Sequence, residues 1–496
     1  MSGPLPKNVW PAPLLRLYPG WLIFLGGLAA GLLGVQQPLL AGALCVLVLL
    51  AATLWRVHAR LPQLALGFIG VSLVGYAFLG KGYAYLGVPP LFVGELALGA
   101  GLLALLKVGR LGTRHTWGLV VLLGLFMLIG LANTLPYLGT YGITALRDAV
   151  IWGYAAFALI VAGLGLHLGW VERAVRQYAR LIPWFLLFAP LSLILYRLAG
   201  GLIPVLPGSD VPLLKPKGGD IAVHLAGILA FLLLGLHRHF SPPRVAERPG
   251  REWLWWLLWL IGCLSVFTGR AALLTIAAAA AVLLLLRPLS RWGRPLYLGV
   301  LVLTLMTALN VRVDLGVGRE VSVPGLLLNL RSITEDTGTS TRDGSREWRL
   351  AWWNDIVGYT LHGPYFWTGK GYGINLADAD GYQVEEDSSL RSPHNGHLTF
   401  LARSGVPGFT AWVLLQAAFA LSLLRASFRA RAAGQTVWSH LFLWILAYWL
   451  AFLVNAAFDV FLEGPQGGIW FWSLFGFGLA ALEVYRRQVA SPVSPT

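Results

Sequence analysis

Thr268-Gly269-Arg270-Ala271-Ala272-Leu273-Leu274 opens an apolar run that continues to Leu286, and an uninterrupted run of this kind is the mark of a helix made for a hydrocarbon layer of roughly 30 Å. Comparable runs recur along nearly the whole chain. Only 12% of the residues are charged and 57% are apolar, with a mean hydropathy of +0.69. Soluble domains carry about a quarter charged residues, so this composition excludes a soluble globule. The chain reads as an all-α polytopic membrane protein.

Counting the run that Arg270 opens, fourteen runs are expected to span. Two, Gly20 to Val35 and Pro38 to Leu54, precede residue 60. Nine follow between Leu64 and Leu309, and Pro407 to Leu424, Leu441 to Leu462 and Ile469 to Glu483 close the chain. Lys and Arg gather in alternate loops, as in Lys107/Arg110/Arg114, Arg173/Arg176/Arg180, Arg287/Arg291/Arg294 and Arg425/Arg429/Arg431. Short basic loops resist translocation, which makes this set cytoplasmic and both termini cytoplasmic with it. The formal charge of +15 is then largely a topology signal, and nucleic acid is not an expected partner. Cys45 and Cys263 both fall inside expected spans, so no disulfide braces the loops. No internal repeat is visible. The expected division is 1–310 for the first eleven spans, 311–396 for one large outer-face loop subdomain, 397–490 for the last three spans, and a Ser/Pro-rich tail at 491–496.

The polar insert Arg312 to Asn395 therefore faces outward, and its residues carry the chemistry. Arg270, at the outer start of a span, is either an interfacial anchor that snorkels or a fixed cation awaiting an anion. Within Ser340 to Trp353, Arg342, Arg346 and Arg349 fall at helical spacing on one face. Guanidinium forks in such a row suit a diphosphate. The interleaved Asp343 and Glu347 equally suit a solvated helix laced with ion pairs. Thr368-Gly369-Lys370-Gly371-Tyr372-Gly373 predicts a tight turn whose backbone approaches something closely, with Lys370 a further cation. It lacks the GxxxxGK[ST] pattern of a nucleotide-binding loop. Ser392-Pro393-His394-Asn395-Gly396-His397-Leu398 ends the insert. His394 there is either a general base or a structural cap, and Asn395 and His397 accompany it. A metal pair of His394 and His397 completed by Asp378, Asp380, Glu385, Glu386 or Asp387 is a weaker alternative, and no metal site or cofactor is assigned. Trp352 and Tyr372 are sugar-stacking or interfacial candidates. Arg147 beside Asp148 reads as a local ion pair, and Glu95 has no evident role.

Taken in order, Thr268-Gly269-Arg270, Arg349-Leu350-Ala351-Trp352, Gly369-Lys370-Gly371-Tyr372-Gly373, Pro393-His394-Asn395-Gly396-His397-Leu398 and Gly405-Val406-Pro407-Gly408 resemble the O-antigen ligase and Wzy-type polymerase superfamily of bacterial membrane glycosyltransferases. The resemblance covers roughly Val266 to Leu415. It departs from the family where Arg403 replaces an acidic residue common before the glycine pair. It implies inverting, metal-independent transfer of glycan from an undecaprenyl diphosphate-linked donor to a glycan or lipid acceptor. This would take place at the periplasmic or extracellular face of the bacterial inner membrane, in cell-surface polysaccharide or lipopolysaccharide assembly. In that reading Arg270 and Arg349 bind the diphosphate, with Arg346, Arg342 and Lys370 in reserve, and His394 is the base. Asn395, His397, Trp352 and Tyr372 are acceptor or sugar contacts. Two rivals stand beside it: a multi-span transporter of lipid-linked glycan or another solute, and a metal-dependent oligosaccharyltransferase-type enzyme. The charges cluster at one face rather than at mid-span, which disfavours the first. The first outer loop is little more than Gln36-Gln37 and lacks acidic ligands, which disfavours the second.

Overall fold

The computed structural model describes residues 60–88, 91–206, 209, 211–240, 249–267, 269–287, 291–314, 320–331 and 340–490. The chain divides into two units, Met1–Leu64 and Ala65–Thr496. The first lies almost wholly outside the described residues, as do the first two expected spans, Cys45 and the 491–496 tail.

The second unit is predominantly helical, as the composition requires. The helices are α1 (Leu61–Leu79), α2 (Val93–Val108), α3 (Trp117–Tyr141), α4 (Ile143–Gly153), α5 (Ala156–His167), α6 (Val171–Ala199), α7 (Gly218–Leu233), α8 (Leu236–Phe240), α9 (Pro249–Val266), α10 (Arg270–Leu286), α11 (Gly293–Ala308), α12 (Val323–Arg331), α13 (Ser340–Leu361), α14 (Leu376–Asp380), α15 (Gly396–Ala432), α16 (Thr436–Ala456) and α17 (Pro465–Ala490). Two short antiparallel hairpins, β1 (Gly87–Val88) with β2 (Leu91–Phe92) and β3 (Val313–Asp314) with β4 (Glu320–Val321), sit in loops.

The expectation of fourteen spans is not met among the described residues. Six helices are long and apolar enough to cross a membrane (α1, α3, α6, α15, α16, α17), or seven if the bent pair α4 and α5 counts as one span. The remaining apolar runs form shorter helices: α2, α7 and α11 have 16 residues each, α10 has 17 and α9 has 18. At 1.5 Å per residue these cover about 24 to 27 Å. A hydropathy window sees an apolar run but not where the helix stops. At the end of α7, for example, Gly235 is left-handed (φ 70°) and starts a new, short helix.

Burial sorts the helices. The apolar windows of α1, α3 and α6 are one-third buried, whereas that of α17 is 89% buried. Every residue of α7 from Asp220 to Leu233 is buried, so it is apolar all round and central. Helices α7, α10 and α16 pack on one another, α15 packs between α16 and α3, and α17 lies along α5. Glu95, without a role in the sequence, accepts a 2.9 Å hydrogen bond from the Tyr154 hydroxyl where α2 meets the α4–α5 bend.

Helix α15 is broken at Gly405 (φ 64°), two residues before Pro407. Proline has no N–H, so the carbonyl of Arg403 loses its helical donor. The Gly369–Gly373 turn supplies replacements. Gly371 N–H donates to the Arg403 carbonyl (3.1 Å) and Lys370 N–H to the Ala402 carbonyl (2.7 Å), while Val406 N–H turns to the Phe366 carbonyl (2.8 Å). Gly371 (φ 80°) and Gly373 (φ 102°) are pressed against the rings of Tyr137 and Tyr141 at the end of α3. The close approach expected of these glycines is therefore to the protein itself.

A Cβ at Gly371 would overlap the Tyr137 ring and strain the backbone, whereas one at Gly139 in α3 meets open space. Gly371→Ala should destabilise the protein by about 2 to 5 kcal/mol. Gly139→Ala should not lower the thermal midpoint. Thermal unfolding in detergent distinguishes the two.

Candidate functional site

Helix α13 carries the central residues of the site because its two sides are fixed by different partners. On one side Trp352 and Ile356 are fully buried in a cluster with Leu376, Ala377, Leu390, Leu401 and Ala402, and Trp348 packs against it. This joins the insert to the first turns of α15. Trp352 stacks on Tyr382 (5.3 Å between centroids), and its Nε1 donates to Asp380 at 2.6 Å. On the other side Arg349 Nη1 donates to the Phe458 carbonyl (3.1 Å) just beyond α16, and Trp353 Nε1 donates to the Pro393 carbonyl (2.8 Å). One helix thus grips both the turn before α15 and the turn after α16.

His394 lies in the first of these turns with a left-handed backbone, φ 53°. For a residue with a Cβ this costs about 1 to 2 kcal/mol. Its neighbours impose it. Pro393 is held by Trp353, and Asn395 caps α15 by accepting from the N–H groups of His397 (3.0 Å) and Leu398 (3.1 Å). The Trp348 ring stands edge-on to the imidazole at 6.2 Å. His394 Nδ1 faces Asp459 Oδ1 at 3.7 Å, an ion-pair distance too long for a hydrogen bond. The other oxygen of Asp459 pairs with Lys217 Nζ at 2.5 Å. Burial pushes the Asp459 carboxyl up, but His394 and Lys217 more than offset this and hold it at about 2.

Arg349 lies within electrostatic reach of this carboxylate, and Arg270 within reach of Arg349. Arg349 is lowered from the usual arginine value, first by burial and also by the positive charge of Arg270, with Asp459 acting in the opposite sense. Arg270 begins α10, within electrostatic reach of Arg349. The N-terminus of α10, with no side-chain cap, adds the positive end of its dipole. Arg349, His394, Asp459 and Lys217 thus form one polar centre, with Arg270 at its edge. Arg346 is one helical turn before Arg349 on α13, and the side chain of Arg342 lies outside the described residues.

Other expected contacts prove to be internal supports. Lys370 pairs with the buried Asp380 and lies over the rings of Tyr359 (4.4 Å) and Tyr365 (5.5 Å), so it is committed to the insert's own core. Tyr372 is fully buried, its hydroxyl 2.8 Å from that of Ser404. Trp352 is sealed in the cluster above and does not offer a face for stacking. His397 is held between the Leu453 carbonyl at Nε2 (3.0 Å) and Trp412 Nε1 at Nδ1 (3.1 Å), and Asn395 is spent on its cap. The acidic pair separates, Asp380 going to Lys370 and Trp352 while Asp378 accepts from Gln383 (2.8 Å).

Asp148 does not form the local pair with Arg147 that its position suggested. It bridges Arg391 (2.8 Å) and Arg403 (3.1 Å) and accepts from Gly373 N–H (3.1 Å). The departure at Arg403 thus gains a role: it donates to the carbonyls of Gly371 and Ile374 (both 3.2 Å) and ties the glycine turn to α15. Asp459 and the pairing of Lys217 escaped the sequence reading. Asp459 lay inside the expected span Leu441 to Leu462, and an acid in an apolar run was the signal.

Residues 254–413 match the family described as O-antigen ligase. That segment begins in α9, ends in α15 and contains Arg270, Arg349 and His394, the residues that carry the resemblance in the motifs. Together with the helices long and apolar enough to span, the match points to a bacterial membrane protein with an O-antigen-ligase-type segment. A search of curated proteins found no match. Lys217 and Asp459 lie outside the matched segment.

Because its folded-state pKa of about 2 is below the ordinary 3.8, Asp459 contributes stability that is complete above about pH 4 and fades as pH falls towards 2. Asp459→Asn should therefore cost on the order of 2 kcal/mol at neutral pH. Thermal unfolding should show the gap from the parent protein narrowing on acidification.

Proposed function

We propose that this protein transfers a glycan from an undecaprenyl diphosphate-linked donor to an acceptor hydroxyl, at the outer face of the bacterial inner membrane. The observation that carries the reading is the convergence of Arg349 and His394 on Asp459, with Arg270 close enough to perturb Arg349. A lipid diphosphate is a leaving group whose negative charge grows as the bond to the anomeric carbon breaks. Arg270 and Arg349 are cations already fixed in a partly desolvated place. Such preorganised charge is worth a few kcal/mol per well-placed donor.

In the proposed step the acceptor oxygen attacks the anomeric carbon as the glycosidic bond to diphosphate breaks on the opposite side, giving inversion. His394 takes the proton from the acceptor hydroxyl. Asp459, at ion-pair distance, stabilises the imidazolium that forms, as a carboxylate does behind a catalytic histidine. The diphosphate leaves with the electron pair and remains on its lipid. Arg346 is the reserve cation on the same helix. These residues do the work without a cofactor in this reading.

Arg270→Ala, Arg349→Ala and His394→Ala should each reduce transfer by at least about 10²-fold while the purified proteins stay folded. The assay incubates pure protein with undecaprenyl diphosphate-linked glycan and follows product length on gels. Transfer at the parental rate by His394→Ala would remove the base from the proposal. A single addition marks a ligase and a ladder marks a polymerase. Solute flux indifferent to all three changes, without transfer by the parent, would point to a transporter.

A further inference from the structure

Beside the His394–Asp459 pair the protein buries polar groups that it leaves unsatisfied. Asn455, in the last turn of α16, is fully buried, and among the described residues neither its amide oxygen nor its amide nitrogen has a hydrogen-bond partner. Asp220, in the first turn of α7, is 7% exposed, and among the described residues both of its carboxyl oxygens also lack a hydrogen-bond partner. Burying such groups unpaired is costly, so a site that keeps them is built for polar atoms from elsewhere.

Their positions say which site. Asn455 is four residues before Asp459, and its carbonyl accepts from Phe458 N–H (3.1 Å) in the turn that also receives Arg349. Asp220 is three residues after Lys217, the partner of Asp459, and lies within electrostatic reach of Lys217, Asp459 and Lys81. The two elements are brought together by Gly219, where a Cβ would stand 2.8 Å from the Asn455 amide oxygen. An amide offers donors and an acceptor, and a carboxyl offers acceptors. A hydroxyl needs both. The paired hydroxyls of a sugar ring match this set, whereas a phosphate, which only accepts, does not.

We infer that Asn455 and Asp220 form a sugar-hydroxyl subsite next to His394, which holds the acceptor glycan by hydroxyls neighbouring the one that reacts. This rests on the proposed transfer reaction and adds the means by which the acceptor is chosen. Arg270 and Arg349 take the anionic half of the reaction, and the Asn455–Asp220 pair takes the neutral, hydroxyl-rich half.

The test is direct binding to the full chain in nanodiscs, with hexyl glucoside and hexyl galactoside and their monodeoxy derivatives as probes. Saturable binding is expected, with loss of one particular hydroxyl weakening it roughly tenfold. Asn455→Ala, Asn455→Ser and Asp220→Asn should each weaken the parent glycoside about tenfold and erase the preference against that deoxy derivative. Thermal midpoints identify any variant that fails to fold, and the deoxy series on the unaltered protein needs no variant. Absence of saturable binding, or variants that bind every glycoside as the parent does, would mean that Asn455 and Asp220 meet no sugar and would overturn the inference. Parental glycan transfer with unchanged acceptor KM in these variants would overturn it while leaving the proposed reaction standing. Hydroxyl-selective glycoside binding by a protein with no transfer activity would do the reverse.

Discussion

A missing hydrogen-bond donor organises this structure. In a membrane-embedded helix each backbone carbonyl must find a partner within the protein, and Pro407 denies one to Arg403. The Gly369–Gly373 turn meets that demand from the insert, and its glycines allow it to lie flat between the broken α15 and the tyrosines of α3. Asp148 then neutralises Arg391 and Arg403 from a third direction. A segment that sequence alone describes as a polar loop is thereby docked on the helical bundle with defined geometry.

That docking gives the candidate site its electrostatic character. Arg349 and Arg270 are cations close enough to oppose one another, and burial adds to the cost. Asp459 is set against Arg349, and it is already shared between Lys217 and His394, with Asp220 also within electrostatic reach. His394 is positioned by backbone strain and by flanking hydrogen bonds rather than by a hydrogen bond of its own Nδ1. The tryptophans of α13 pack the insert and fix the turns, which explains why Trp352 is sealed away from any ligand.

Much of this was legible in the sequence, for reasons that differ by residue. Composition alone points to the membrane class, and Arg270, Arg349, the glycine turn and His394, in that order, all fall within the segment that matches the O-antigen ligase model. Helix ends were less readable, because the apolar run Ile221 to Leu236 does not announce the left-handed Gly235 within it. Ion-pair partners were least readable. Asp148 looked tied to its neighbour Arg147 but reaches residues 243 and more positions away, and Lys370 looked free for a ligand but meets Asp380. Such pairings follow from packing, which spacing along the chain does not encode. Asp459 was hidden because its hydrophobic surroundings made it look like part of a span.

The short helix α10 carries a consequence for the lipid around it. With 17 residues it falls several ångströms short of a typical hydrocarbon thickness, while α15 has 37 residues. A bilayer meeting such unequal neighbours thins locally or is spanned by flanking side chains. Arg270 begins α10, so its long side chain is one that can bridge the difference.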